Sequence, residues 1–384
     1  MSEIITLSLP WILPHEQAEL SEFLDGTVET ALAIEKELEE GVADIVERPF
    51  GSAFGSTQSA IECALTALGV KDGDEVVLPA LSPPALLAAI ARMRARPLFV
   101  DSDPKSLTVR GPSADTRCTA RTRVIIGVTV HGDPTGLNEL AGVASKFEIP
   151  LLEVVCGGLG GRIGRDPVGR FGRVSVVGLD AASGYIGASG AVACTNDDTL
   201  AATLSLLREG GVRRPRVDWE RLGGVRAIEH FVSDPSLPLI AAAVSVLRIR
   251  RHAQHKQRVS EIFKQYMSRL GGHSDLLLPA SCEDNTVAWS HFAVRLSDRY
   301  TRDERDSIVN GLLRHDIGAS SAVCYAPSEA AAVAQFGVVE GFATAERAAH
   351  RLITLPFHPA LNARDVELTC QTLEVMIQRQ SIIR

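Results

Sequence analysis

Apolar positions change period along the chain, and the changes lay out its elements. From Ser59 to Leu68 the run SAIECALTAL repeats Ala, Leu and Ile at helical spacing, which predicts a helix. The turn Lys71-Asp72-Gly73-Asp74 follows, then EVVLP, a short run with the composition of a buried strand. PALLAAIARMRA predicts a second helix and PLFVD a second strand. VIIGVTVHG from Val124, IPLLEVV from Ile149, VSVVGLD from Val174 and GAVACTN from Gly190 are further β-branched runs. Strands buried on both sides lose the alternation of polar and apolar positions. Such continuous runs joined by helices predict a mainly parallel sheet covered on both faces.

The pattern changes after about Pro235. LIAAAVSVLRIRRHAQHKQRVSEIFKQYMSRL predicts one long connector helix. VAWSHFAVRL reads as a strand, DERDSIVNGLLRHD as a helix and ARDVELTCQTLEVMIQRQ as a terminal helix. The expected organisation is a large α/β domain over residues 1–245, N-terminal segment included, and a smaller α+β domain over residues 246–384. No internal repeat or low-complexity tract interrupts it.

Composition narrows the function classes. The 384 residues suffice for two domains with a sizeable core, and 45% hydrophobic with 22% charged residues is an ordinary soluble balance. A net charge of −8 weighs against nucleic acid, whose phosphates need a basic face. The seven cysteines are scattered without a CxxC pair, which suits reduced thiols in the cytoplasm and offers no zinc spacing. MSEIITLSLPW lacks a basic segment followed by an apolar run, so no signal peptide is expected, and no apolar stretch reaches the roughly 18–20 residues that span a membrane. A cytoplasmic protein with no metal is expected.

Lysine is scarce. The chain has six, Lys36, Lys71, Lys105, Lys146, Lys256 and Lys264, so none lies between Lys146 and Lys256. That gap acquires meaning from a resemblance. GSTQSAIECALTALGVKDGDEVVLPALS, RPLFVDSDP, HGDPTGLNELAGVASKFEIPLLE, SGAVACTNDDTLAATLSLLREGG and LITLPFHPALNARDVE resemble, in order, segments of the DegT/StrS-type sugar aminotransferases. Those are fold-type-I enzymes that use pyridoxal phosphate. The resemblance implies a seven-stranded, mainly parallel sheet in the large domain and a dimer, since family sites draw residues from both subunits. It also implies a cofactor held as an imine on lysine.

At the positions the resemblance assigns to that cofactor, this chain differs. The family's acid, partner of the ring nitrogen, falls on Val154 within Glu153-Val154-Val155-Cys156-Gly157, and the following glutamine on Gly157. The lysine falls on Ser183 or Ala182, depending on the end from which the loop is counted. Neither forms an imine. Ser82, before Pro83 and Pro84, takes the place of the stacked aromatic ring, and HFVSDPSLP puts Asp234 where the neighbouring subunit's phosphate contact is expected. Ser56, Thr57, Gln58 and Ser59 still offer hydroxyls at a helix start, a natural anion site.

The remaining candidates each carry two readings. His131 ends a predicted strand, where α/β sheets bind ligands, and is either a general base or a structural histidine. Asp180, Ser183 and Tyr185 form either a polar shelf or an ordinary turn. Cys156 is either a nucleophile or a buried thiol. Tyr325 resembles the substrate side of the C-terminal segment. Arg208, Arg213, Arg214, Arg216, Arg221 and Arg226 form either an anion clamp or a solvated loop.

The expectation at this level is a protein that works without pyridoxal phosphate or another cofactor. His131, Asp180 and Ser183 would be its catalytic candidates, and Ser56, Thr57, Gln58, Ser82, Cys156, Tyr185 and Tyr325 its binding candidates. Its cleft would take a small polar intermediate of sugar or natural-product biosynthesis for elimination, cyclisation, condensation or hydrolysis. The alternatives are a non-catalytic partner of an active paralogue, in a heterodimer rather than a homodimer, or an enzyme binding pyridoxal or pyridoxamine phosphate non-covalently. A lysine-less dehydratase of this family is expected to carry a loop histidine, and none lies between His131 and His230.

Overall fold

The computed structural model describes residues 4–9, 11–180, 189–210, 212–213, 227–228, 235–280, 284–321, 324–329, 331–337 and 341–383. At its centre are seven strands: β1 (Phe50–Phe54), β2 (Glu75–Pro79), β3 (Arg96–Val100), β4 (Thr122–Val128), β5 (Leu151–Val155), β6 (Val174–Gly178) and β7 (Ala191–Thr195). They pair in the order β1-β7-β6-β5-β4-β2-β3, with β7 alone antiparallel to both of its neighbours. The sheet is therefore mostly parallel, and six of its strands coincide within a few residues with the apolar runs. β1 was not legible, because FGSAF is short, rich in Gly and Ala, and weakly β-forming.

Alternation along each strand sends neighbours to opposite faces. Val154 and Val176 join a core cluster with residues of the helices Thr57–Ala67, Pro84–Arg92 and Asp198–Arg208. Val155 and Val177 belong to a different cluster, formed with the helices Val28–Ile45 and Leu239–Arg250. The latter helix buries nearly every position from Ala241 to Arg248, so it has no polar stripe.

The expected single helix from Leu239 onward is two, Leu239–Arg250 and His252–Leu270. At the break Arg251 leaves helical geometry (φ −103°, ψ 17°). Its guanidinium donates to the Trp11 carbonyl at 2.7 Å and pairs with the Glu16 carboxylate at 2.5 Å, tying the junction to the N-terminal segment. Beyond it, a separate core gathers Val259, Ile262 and Tyr266 with Phe292, Ile308, Ile353 and Leu373. A three-stranded sheet runs through that region, with Phe292–Leu296 flanked antiparallel by Leu276–Leu277 and Leu352–Leu355. Ile5 joins the same core and bridges Ile317. No helix among the described residues is long and apolar enough to cross a membrane.

Candidate active site

The carboxyl ends of the parallel strands converge on the start of the helix Thr57–Ala67. Ser56 caps it, with its hydroxyl accepting from the Ser59 amide at 3.0 Å while the Ser59 hydroxyl accepts from the Ser56 amide at 3.2 Å. This reciprocal box satisfies two of the helix's orphan donors locally. Thr57 is buried, and its hydroxyl donates to the Asp180 carboxylate at 2.7 Å. Asp180 lies just past β6, so the chain closes this contact across the sheet edge. Gln58 is turned along the helix, its amide donating to Glu62 at 2.8 Å. Glu62 also pairs with Arg92 at 2.9 Å.

Ser82 is fully buried and donates to the Pro79 carbonyl at 2.6 Å. Its backbone exchanges two hydrogen bonds with Tyr325, at 3.1 and 2.9 Å, stitching the segment after β2 to the C-terminal part of the chain. Tyr325 is exposed beside it. Of the sequence candidates, the structure thus joins Thr57 to Asp180 and Ser82 to Tyr325. Ser183, Ala182 and Tyr185 lie outside the described residues, as do Asp234, Arg214, Arg216, Arg221 and Arg226.

His131 is elsewhere. It lines a small cavity with Lys105, Asp133, Trp289 and Arg295, and neither Thr57 nor Asp180 faces that space. Its backbone is left-handed (φ +54°), an uncommon conformation for a residue with a side chain, and the next residue, Gly132, is at φ +97°. A Cβ on Gly132 would come within 2.3 Å of the Ala288 carbonyl oxygen, so glycine permits the close approach of the two segments. The imidazole stacks edge-on to His291 with centroids 6.0 Å apart. Burial and then the neighbouring His291 push its pKa down to about 3, so the ring is neutral at physiological pH. Cys156 is buried in the apolar cluster of the Val154 face, and Arg208 pairs with Glu39 at 2.5 Å beside Glu35.

Sequence reading overlooked Glu153. Its carboxylate, fully buried, accepts from the amides of Gly169, Phe171 and Gly172 at 2.6, 3.0 and 3.2 Å. Arg48 reaches the same turn from the other side and donates to the carbonyls of Gly169, Arg170 and Gly172. Burial pushes the Glu153 pKa up and that of Arg48 down, while each charge opposes the other's shift. Acid and base together hold the turn that leads into β6. No local signal marks this clamp, since Arg48 and Gly169 are 121 residues apart.

The profile of the DegT/DnrJ/EryC1/StrS aminotransferase family matches residues 12–374. A UDP-4-amino-4-deoxy-L-arabinose–oxoglutarate aminotransferase of Shewanella sediminis (strain HAW-EB3) is 24% identical over 378 residues, which cover 95% of this chain and 96% of that protein. Among solved structures, the aminotransferase TlmJ of Streptoalloteichus hindustanus superposes with a TM-score of 0.85 at 23% identity, covering 98% of this chain and 100% of that one. The PMP form of the sugar aminotransferase Spr1654 of Streptococcus pneumoniae gives 0.87 at 20% identity, covering 97% and 99%. These likenesses establish the fold-type-I architecture.

They also correct the expectation of a PLP-independent protein with non-aminotransferase chemistry, and with it the inert-partner alternative. The relatives are sugar aminotransferases, one of them solved with the pyridoxamine and pyridoxal forms of the cofactor. The family likeness runs over residues 12–374, whereas the departures are confined to a few cofactor positions. Nevertheless, the residues present do not fit that cofactor held in the manner the resemblance describes. Residues 181–188 read AASGYIGA and contain no amine. Val154 is buried in apolar surroundings and offers the ring nitrogen no charge. The Thr57 hydroxyl already serves a carboxylate at the anion-binding helix start.

Proposed function

The chain belongs to the DegT/DnrJ/EryC1/StrS aminotransferase family, and from that premise we propose that it acts on an activated amino- or keto-sugar in amino-group transfer. The observation that carries this reading is the match over residues 12–374, which spans both the central sheet and the C-terminal core. The sugar would lie at the carboxyl edge of the sheet, where ligands of α/β folds bind, between the helix start at Ser56–Thr57 and the Ser82–Tyr325 stitch. An exposed phenol on Tyr325 and the hydroxyl of Ser56 suit a polyhydroxylated ligand. A cytoplasmic dimer, as a homodimer or with a paralogue, is the assembly proposed with it.

The test is amination itself. Purified protein is supplied with a panel of nucleotide-linked 4-keto sugars, glutamate as amino donor and pyridoxal phosphate, and products are read by mass spectrometry. An amino sugar formed by the wild-type chain, and lost in Tyr325→Ala with the fold intact, is the expected result. No amino sugar from any keto-sugar, with folded protein and saturating cofactor, overturns the reading.

A further inference from the structure

With no amine in residues 181–188, the positions of the six lysines become informative. Lys36, Lys71, Lys105, Lys146 and Lys264 are all exposed. Lys256 is not. It sits near the start of the helix His252–Leu270, whose buried positions Val259, Ile262, Tyr266 and Leu270 form one stripe. Carried back at helical spacing, that stripe reaches His255, Lys256 and His252. The face that packs the C-terminal core therefore presents an amine and two imidazoles to the edge of the central sheet.

There it meets a cavity of about 30 Å³, lined by Gly157 and Gly178 just beyond and at the ends of β5 and β6, by the three helix side chains, and by Trp289. Space of that size holds a few heavy atoms. The Lys256 ammonium donates to the Gly160 carbonyl at 2.5 Å, which holds Nζ at the cavity. Left-handed backbone at Gly157, Gly158 and Gly160 (φ +88°, +89° and +81°) carries the loop around it. A Cβ at Gly160 would come within 2.4 Å of the His252 ring, so glycine is what admits the imidazole there.

We propose that this cavity is a binding site for a small aldehyde, and that Lys256 is the amine that captures it as an imine. The uncharged Lys256 nitrogen attacks the carbonyl carbon, a C–N bond forms, and the carbonyl oxygen leaves as water with the two amine hydrogens. Burial, followed by the charge of Arg162, lowers the Lys256 pKa, which raises the fraction of nucleophilic amine at neutral pH. Burial likewise pushes His252 down to about 4 and His255 to about 3, so both imidazoles stay uncharged beside the amine, and the proton that the ammonium must lose goes to water. The small cavity admits only a compact aldehyde of a few heavy atoms.

Glyoxylate with cyanoborohydride is the probe, since hydride delivery to the imine leaves a stable carboxymethyl group on the nitrogen. The full-length protein is treated at neutral pH and its peptides are mapped by mass spectrometry over time. Lys256 is expected to react about tenfold faster than each exposed lysine, because the cavity holds the aldehyde against its nitrogen whereas the others meet it only from solution. Lys256→Arg should abolish that modification and leave labelling of the other five unchanged. Labelling of Lys256 at or below the rate of the exposed lysines in the wild-type chain overturns the proposal, whatever the variant does. Neither sugar nor turnover enters this measurement, so its failure and the failure of sugar amination are separately visible.

Discussion

On the face of the sheet that carries Val154 and Val176, the carboxyl edge meets a helix start whose Thr57 hydroxyl is committed to Asp180. On the face that carries Val155 and Val177, the same edge meets a cavity that Lys256 lines together with two neutral imidazoles. The first face keeps the shape of a family cofactor site without its amine, its acid or a free anion pocket. The second has an amine where the resemblance assigns none. A sheet edge has two sides, and the groups able to do chemistry need not stay on the side where relatives keep them.

The largest expected effect tests whether the architecture under both faces depends on the buried clamp. Arg48→Met leaves three turn carbonyls without their donor and removes the positive charge that offsets the burial of Glu153. It should lower the unfolding free energy by about 3 kcal/mol, the cost of breaking a buried charge arrangement on one side. Urea denaturation followed by circular dichroism measures it, and a loss under 1 kcal/mol would mean that the turn holds without the guanidinium.

An intermediate effect concerns pH. The folded-state value of His131, about 3, lies below its unfolded value of about 6.5, so the unfolded chain takes up the proton first. The stability contribution is whole above pH 6.5 and is lost as pH falls toward 3. Between pH 6.5 and 5 the loss reaches about 2 kcal/mol for this residue. Asparagine tolerates the left-handed backbone, so His131→Asn should flatten the pH dependence by that amount while keeping the fold. An unchanged slope would mean that the histidine titrates normally and is open to water.

The smallest effect sharpens the comparison of the faces directly. If the Asp180 carboxylate stands where a phosphate would meet the helix start, Asp180→Asn removes a like charge and keeps a hydrogen-bonding group for Thr57. Calorimetric titration with pyridoxamine phosphate should then give binding about tenfold tighter than in the wild-type chain. Equal affinities would place the anion site away from Asp180.

Most of the central sheet was legible because each buried strand announces itself in five or so consecutive residues. β1 escaped because its small residues carry little propensity, and its place comes from pairing with β7. The break at Arg251 escaped for a related reason: the helical period runs through it unbroken, and only Trp11 and Glu16, supplied by the distant N-terminal segment, tie the residue there. Of the site, the helix start at Ser56–Ser59 could be read as a hydroxyl cluster next to an apolar period. That Gln58 turns away toward Glu62, and that His131 faces a different cavity from Thr57, could not.

What the sequence determines by itself is whatever depends on near neighbours or on residue identity: the order of strands and helices, the capping box at Ser56, and the absence of an amine from residues 181–188. What only the tertiary structure decides is which distant groups meet. Thr57 finds Asp180 across 123 residues, and Lys256 finds Gly160 across 96. Local periodicity says which face of an element is buried, but the partner on that face is chosen by how the layers pack, and packing is a property of the whole chain.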